Sequence, residues 1–482
     1  MKICVLQPDY STSNVDYQDY DPPRNLSRWL KGHEVEHVFI NKLTTYKQIK
    51  TLSRQNFDIY INLCEGYLEW EVPSIDVIYT LENLNLPFTG PSSKLYDPTK
   101  PLMKYVAHCA GVNTPDYEVI NTISDLARVT DRMTFPLFVK PAKAGDSLGV
   151  DENSKVKDAA ELSMKVGQLL PEYGEVLVEK YIGGREFTVL VAANAEPDGT
   201  CTAFLPVEYK FPAGRWFKTY ALKTSELHPD CNIPCQDLSL DKTLRSAAKR
   251  IFQAFGGVGY ARMDFRVDED NRVFFLEVNF TCSVFYTDGY EGSADFILLH
   301  DGVGHKGFLK HIISEGLARH HKKQKKYVLK GNAVSGFGIY ARERINKGEI
   351  IFNNETQPHR IVTRPFVDKH WKGEEEQDNF RRYAYPLSSE VYALWDEDPE
   401  AWAPENHSCD ANTSYDGLNV VAIRAIKKDE ELTLDYSSFL DERSEPFMCA
   451  CGSSKCRGLI MGTPGNSVTH KILEVRKIAV DD

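Results

Sequence analysis

Tyr260-Ala261-Arg262-Met263-Asp264-Phe265 and, shortly after it, Phe275-Leu276-Glu277-Val278-Asn279 decide how the front of this chain is read. The two runs look like paired strands that bring Asp264, Glu277 and Asn279 to one end. Two carboxylates and an amide oxygen are the hard ligands that magnesium prefers, with a nucleotide triphosphate supplying the rest of the shell. Arg262 then stands where it can stabilise negative charge on a transferring phosphoryl group or a tetrahedral species.

Moving outward, Phe138-Val139-Lys140-Pro141 reads as a strand ending in a lysine. The glycine-bearing loop Ala144-Gly145-Asp146-Ser147-Leu148-Gly149-Val150 follows it. A lysine facing such a loop can neutralise nucleotide phosphates while backbone N–H groups and Ser147 close over them. Val176-Leu177-Val178-Glu179-Lys180-Tyr181-Ile182 is an extended segment able to read an adenine edge. Glu186, within Arg185-Glu186-Phe187-Thr188-Val189, can accept the ribose hydroxyls.

These residues together resemble the ATP-grasp enzymes of the D-alanine–D-alanine ligase type, over about residues 1 to 315, including Asn62-Leu63-Cys64-Glu65-Gly66 and Pro87-Phe88-Thr89-Gly90. Lys100 and Lys104, ahead of Ala110-Gly111-Val112-Asn113-Thr114-Pro115, match the family's lysine spacing. The resemblance implies that Lys100 and Lys140 contact the nucleotide, Glu179 and Ile182 the adenine, Glu186 the ribose, and Asp264, Glu277 and Asn279 the magnesium ions. Lys223 in Tyr220-Ala221-Leu222-Lys223 matches another phosphate-side lysine. Four departures bear on the substrate. No acidic residue in Gln7 to Ser13 corresponds to the one that binds the first D-alanine. The serine and tyrosine that hold it are Asp146 and Thr224 here, and the Pro-Gly after the metal asparagine is Cys282-Ser283. What the resemblance implies is therefore the reaction core, in which ATP activates a small-molecule carboxylate for attack by an amine, and not D-alanyl-D-alanine synthesis.

The end of the chain carries a different set: Glu405-Asn406-His407-Ser408-Cys409, then Leu434-Asp435-Tyr436, then Cys449, Cys451 and Cys456. Four thiolates are the count for a closed structural zinc. Ser335-Gly336-Phe337-Gly338-Ile339-Tyr340-Ala341 offers glycine backbone for close approach by a ligand. Residues 327 to 460 resemble a SET-domain methyltransferase with its post-SET cap. That resemblance implies an S-adenosylmethionine (SAM) site lined by Gly338, Asn406 and His407, with Tyr436 beside the methyl-transfer channel and zinc on Cys409, Cys449, Cys451 and Cys456. The acceptor it implies is lysine-like, free or in a protein. Phe337, Tyr340, Tyr383 and Tyr385 are candidate channel aromatics, each with an alternative place in the core. Pro404-Glu405 departs from the family, many of whose members have an apolar residue before the asparagine.

With 482 residues the chain calls for more than one domain. Its net charge of -12 argues against a partner bound mainly through nucleic-acid phosphates. The apolar start Ile3-Cys4-Val5-Leu6 is too short for a membrane span, and the scattered cysteines suggest reduced thiols. The expected compartment is the cytoplasm, with the nucleus left open, and a homodimer is an expectation from the family.

Apolar and amphipathic stretches alternate through Ile3–Leu6, Leu26–Leu30, Val38–Ile40 and Ile59–Leu63 to a helix-like Ser74–Leu84, which predicts a parallel βαβ layer. The expected architecture is α/β plus mostly-β: a preATP-grasp βαβ domain over 1–100, an ATP-grasp domain of two α+β subdomains over 101–315 and a basic linker over 316–328. A SET β-fold over 329–440, a post-SET zinc cap over 441–462 and a tail over 463–482 follow. The function expected is bifunctional, an ATP-dependent carboxylate–amine ligase joined to a SAM-dependent lysine or amine N-methyltransferase. The alternative is a protein-lysine methyltransferase whose front domain binds nucleotide without catalysis.

Overall fold

The computed structural model describes residues 1–12, 21–66, 72–143, 148–196, 199–218, 231–286, 288–356, 359–394 and 405–464. The chain forms two compact units, Met1–Lys323 and Gln324–Asp482. In the first, β1 (Lys2–Pro8), β2 (Glu34–Ile40) and β3 (Ile59–Asn62) make a parallel sheet ordered β2-β1-β3. Central β1 is buried along nearly its whole length, as a parallel strand covered on both faces should be. The helix expected near Ser74–Leu84 spans Ile75–Asn83 and sends Val77, Ile78 and Leu81 into the core. Leu26–Leu30 is a turn whose two leucines are buried, so its apolar spacing reflects anchoring and not a regular element.

Next come β4 (Tyr117–Ile120), β5 (Leu137–Pro141), β6 (Lys155–Val156) and β7 (Val176–Lys180), an antiparallel sheet ordered β4-β7-β5-β6. The helix Ala159–Tyr173 packs Leu162, Val166 and Leu169 against it. A larger sheet holds β8 (Arg185–Ala193), β9 (Cys201–Ala203), β10 (Val207–Tyr209), β11 (Asn232–Pro234), β12 (Tyr260–Val267) and β13 (Val273–Asn279). Its order is β11-β10-β8-β12-β13, with β9 added on β8. Successive side chains of a strand face opposite ways. Accordingly Val189 and Val191 meet the helix Leu238–Ala254, while Leu190 and Ala192 meet the helices Ser293–Asp301 and Gly304–Lys323. The β7–β8 turn requires glycine: Gly184 has φ +86°, and a Cβ there would lie 2.2 Å from the Val267 carbonyl oxygen.

The linker expected over 316–328 is largely structured. The helix from Gly304 runs on to Lys323, because Ile312, Ile313 and Gly316 are buried against the first unit, and a strand already begins at Tyr327.

In the second unit, β14 (Tyr327–Asn332) and β15 (Gly336–Ala341) form a hairpin. Then follow β16 (Ile350–Phe352), β17 (Arg360–Thr363), β18 (Tyr385–Pro386), β19 (Val391–Leu394), β20 (Asn406–His407), β21 (Thr413–Asp416), β22 (Asn419–Ala422) and β23 (Thr433–Leu434). They build a sheet ordered β16-β22-β21-β23-β20 and a smaller one ordered β17-β19-β18. A last hairpin pairs β24 (Phe447–Met448) with β25 (Leu459–Ile460). The cores are small; the larger rests on Tyr327, Ile339, Ile345, Ile426 and Leu432.

Candidate active sites

The first site is assembled from a helix and the two sheets of the front unit. The helix Lys100–Cys109 starts where Thr99 accepts a hydrogen bond from the Leu102 N–H, and its spacing puts Lys100 and Lys104 on one face. The end of β5 supplies Lys140, and β7 supplies Glu179. Lys104 Nζ and Lys140 Nζ each lie 2.6 Å from a different oxygen of the Glu179 carboxylate. Burial alone would raise the Glu179 pKa; the two lysines outweigh it and bring it down to about 2. Lys100 is pulled below the usual lysine range by burial, with Glu277 acting the other way.

These groups border a cleft enclosing about 820 Å³, lined among others by Lys100, Lys140, Glu179, Ile182, Glu186, Asp264 and Glu277. A hollow of about 320 Å³ shares Lys100 and Glu277 with it and adds Asp97, Lys143 and Asn279. Asp264 faces Glu277 across the β12–β13 pair and Arg262 faces Asn279, with the register shifting just after Asp264. Arg262 Nη2 is 3.4 Å from Asp264 Oδ2. The Asn279 amide nitrogen is buried with no hydrogen-bond partner among the described residues, so the site has donor capacity left for a guest. Lysines at one end, carboxylates and an amide at the other fit a magnesium–nucleotide.

Glu186 is buried and already paired, 3.2 Å from Lys218 Nζ and 3.3 Å from Arg266 Nε. Sequence reasoning missed both partners, which also line the cleft. A signal for Arg266 existed: Arg262, Asp264 and Arg266 alternate along β12 and so share a face. Arg24 was missed too. It is 1% exposed, pairs with Asp21 at 3.3 Å and Glu65 at 3.1 Å, and donates to the carbonyls of Leu63 and Val284. It thereby ties β3's exit to the loop after Asn279. Ser147 and Lys223, like Asp146 and Thr224, lie outside the described residues.

The second site forms where β15, β20 and the segment after β23 meet. Asn406 Nδ2 donates to the Phe337 carbonyl and to Glu431 Oε1, each at 2.8 Å. Gly338 sits against this pair: a Cβ there would lie 2.3 Å from Glu431 Oε1 and 3.1 Å from Asn406 Nδ2. β20 runs parallel to β23, which lets His407 Nδ1 accept the Tyr436 N–H at 3.1 Å. The Tyr436 hydroxyl donates to the Glu405 carbonyl at 2.6 Å. Gly338, Asn406, His407 and Tyr436 thus come together.

Tyr436 borders a pocket of about 670 Å³ with Tyr383, Tyr385, Tyr415, Phe352 and Phe439. Of the four candidate aromatics, Tyr383 and Tyr385 line it; Phe337 is 66% exposed and, like Tyr340, is not part of this lining. Beside it, the sulfurs of Cys409, Cys449, Cys451 and Cys456 all lie within 4.8 Å of one another. Tetrahedral zinc with Zn–S bonds of about 2.3 Å places sulfurs roughly 3.8 Å apart, and Cys409 to Cys449 is 3.9 Å. The N–H groups of Cys451 and Arg457 point at the sulfurs of Cys449 and Cys409, both at 3.4 Å, a setting suited to thiolates. The cluster fits zinc.

Comparison with known proteins finds a different family model in each unit. A family model described as "D-ala D-ala ligase C-terminus" matches residues 106–286, and the SET domain model matches residues 336–437. The D-alanine–D-alanine ligase of Neisseria meningitidis serogroup A is 30% identical over 283 residues, covering 58% of this chain and 86% of that protein. The chain belongs to the D-alanine–D-alanine ligase family. It adds a SET domain. The D-alanine–D-alanine ligase of Bordetella petrii is 32% identical over 202 residues, and the match spans only 60% of that relative's length and 41% of this chain. Among solved structures, the D-alanine–D-alanine ligase from Coxiella burnetii aligns over 67% of this chain and 96% of its own, with 19% identity and a TM-score of 0.48. No helix among the described residues is long and apolar enough to cross a membrane.

Proposed function

We propose that the chain holds two enzymes: an ATP-dependent carboxylate–amine ligase in the first unit and a SAM-dependent lysine or amine N-methyltransferase in the second. The observation that carries this reading is that each unit has its own pocket, one lined by lysines and carboxylates and the other by aromatics around Tyr436.

In the first pocket, Lys100 and Lys140 would hold the nucleotide phosphates, Glu179 and Ile182 the adenine side, and Glu186 the ribose. Asp264, Glu277 and Asn279 would hold magnesium, and Arg262 would face the charge that develops at the reacting carboxylate. Bound ATP supplies the phosphoryl group that makes a carboxylate oxygen a leaving group. The relatives named D-alanine–D-alanine ligase suggest small amino-acid-like substrates. Asp146, Thr224 and Cys282-Ser283, standing where that family holds D-alanine, favour substrates other than D-alanine.

In the second pocket, Gly338, Asn406 and His407 would seat SAM, whose sulfonium supplies the methyl group. The Tyr436 hydroxyl would orient the acceptor nitrogen. The aromatic lining keeps water away, which favours the neutral amine needed for attack. Zinc on the four cysteines would close the cap over this end of the unit.

A second reading, a protein-lysine methyltransferase whose front unit binds nucleotide without catalysis, is favoured by one observation. Both acidic groups of the adenine and ribose side, Glu179 and Glu186, are fully engaged by internal lysine and arginine partners. Incubating the protein with ATP, magnesium, SAM and a metabolite extract, followed by mass spectrometry, separates the two. The bifunctional reading expects a new amide-linked product and a methylated one; methylation confined to polypeptide, with no ATP consumed, would support the second.

A further inference from the structure

The aromatic pocket of the second unit has among its lining residues a glutamate, which an aromatic cage alone does not need. Glu405 lines it, and its side chain is only 4% exposed. One carboxylate oxygen accepts a hydrogen bond from the Thr413 hydroxyl. The other, Oε1, is buried and has no hydrogen-bond partner among the described residues. The titratable groups facing it are Tyr327 on β14, Tyr415 on β21 and Tyr436 after β23, all kept neutral by burial. Among the described residues the one basic side chain in the lining is Arg382, which is half-exposed and spends its charge on Asp378 at 2.9 Å. A carboxylate so placed is costly while the pocket is empty, and burial pushes its pKa up to about 8. A guest bringing a positive charge removes that cost, and the faces of Tyr383, Tyr385 and Phe439 add cation–π attraction.

We propose that Glu405 is the counter-ion of the methyl acceptor as it enters in its alkylammonium form, before it sheds the proton it must lose for methyl transfer, so that the pocket selects a substrate carrying an alkylammonium group over a neutral one of the same shape. The inference rests on the methyltransferase reading of the second unit and adds to it a specificity-determining residue. It also gives the departure from an apolar residue before Asn406 a chemical purpose: the carboxylate enters with the strand that carries the SAM-side asparagine.

Butylammonium and butan-1-ol share an alkyl body and differ in charge, which makes them suitable probes. The full-length protein is titrated with each by ligand-observed NMR, with and without S-adenosylhomocysteine. At pH 8.5 butylammonium should bind at least about tenfold more tightly than butanol. On lowering the pH from 8 to 6.5 that preference should shrink by up to about tenfold per unit, since the carboxyl must first lose its proton while the amine stays charged throughout. Glu405→Gln should abolish the preference and leave butanol binding unchanged. Should that variant fail to fold, the pH dependence of the unaltered protein still decides. Equal binding of the two probes at pH 8.5, or a preference that persists in Glu405→Gln, would overturn the proposal. Failure of S-adenosylhomocysteine to bind in its own titration would instead overturn the methyltransferase reading, and the cation preference would stand or fall on the titrations made without it.

Discussion

Held between Lys104 and Lys140 at 2.6 Å on either side, the Glu179 carboxylate is the direct ion-pair partner of two buried ammonium groups, on both of which Glu277 also acts. Glu179→Gln removes the direct partner of both buried cations, and removing one partner of a buried pair costs about 3 kcal/mol or more. Urea denaturation of the front unit at neutral pH should register that loss. The folded pKa of Glu179 lies below its ordinary 4.5, at about 2, so its contribution is complete above the ordinary value and is lost as pH falls from there toward 2. The Gln variant should therefore lose the corresponding part of the acid sensitivity. Gly338→Ala brings a methyl group to 2.3 Å from Glu431 Oε1 and disturbs Asn406. A strain of about 1–2 kcal/mol at that spot should weaken SAM binding roughly tenfold in isothermal titration. Tyr436→Phe removes a hydroxyl bonded to the Glu405 carbonyl while keeping the ring contacts with His407, Phe439 and Phe447. SAM affinity should change little, and methyl transfer should fall about a hundredfold; undiminished turnover would remove Tyr436 from its role.

At the scale of elements, the zinc cap shows how little regular structure the final segment has of its own. Its hairpin pairs only Phe447–Met448 with Leu459–Ile460, so zinc on the thiol cluster would supply the cross-links that a core otherwise would. Metal analysis should find about one zinc per chain, and Cys451→Ser should lose it together with SAM binding; full zinc in that variant would contradict the assignment. The pairing of β12 with β13 and the cysteine pattern were legible in the sequence, and the two lysines were picked out by their match to the family's spacing. Asp264 and Glu277 face each other by strand register, and Lys100 and Lys104 by helical spacing. The rest depended on contacts between distant elements. Tyr385 and Tyr415 reach the Tyr436 pocket from separate strands, and Lys218 reaches Glu186 from a segment far along the chain, so no local periodicity announced those meetings. The basic run reads in the sequence as the end of a helix, and His320-His321-Lys322-Lys323 is indeed the helix's last turn, where cations suit the dipole.

For the whole molecule, two compact units with separate pockets make the two activities separately testable. A substitution in one pocket should leave the chemistry of the other unchanged, as sites with no shared residues usually behave independently. The central claim is that the front unit is a working ligase and not only a nucleotide-binding module. The decisive measurement is ADP formation by the full chain with ATP and magnesium across a panel of amino acids, amines and small acids, made in parallel on Glu277→Gln and Tyr436→Phe. The account predicts that particular substrates other than D-alanine raise ADP release above background. Glu277→Gln should abolish that release by removing a carboxylate from the magnesium site, and Tyr436→Phe should leave it intact. ADP release that no member of the panel raises, although ATP binds measurably, would contradict it.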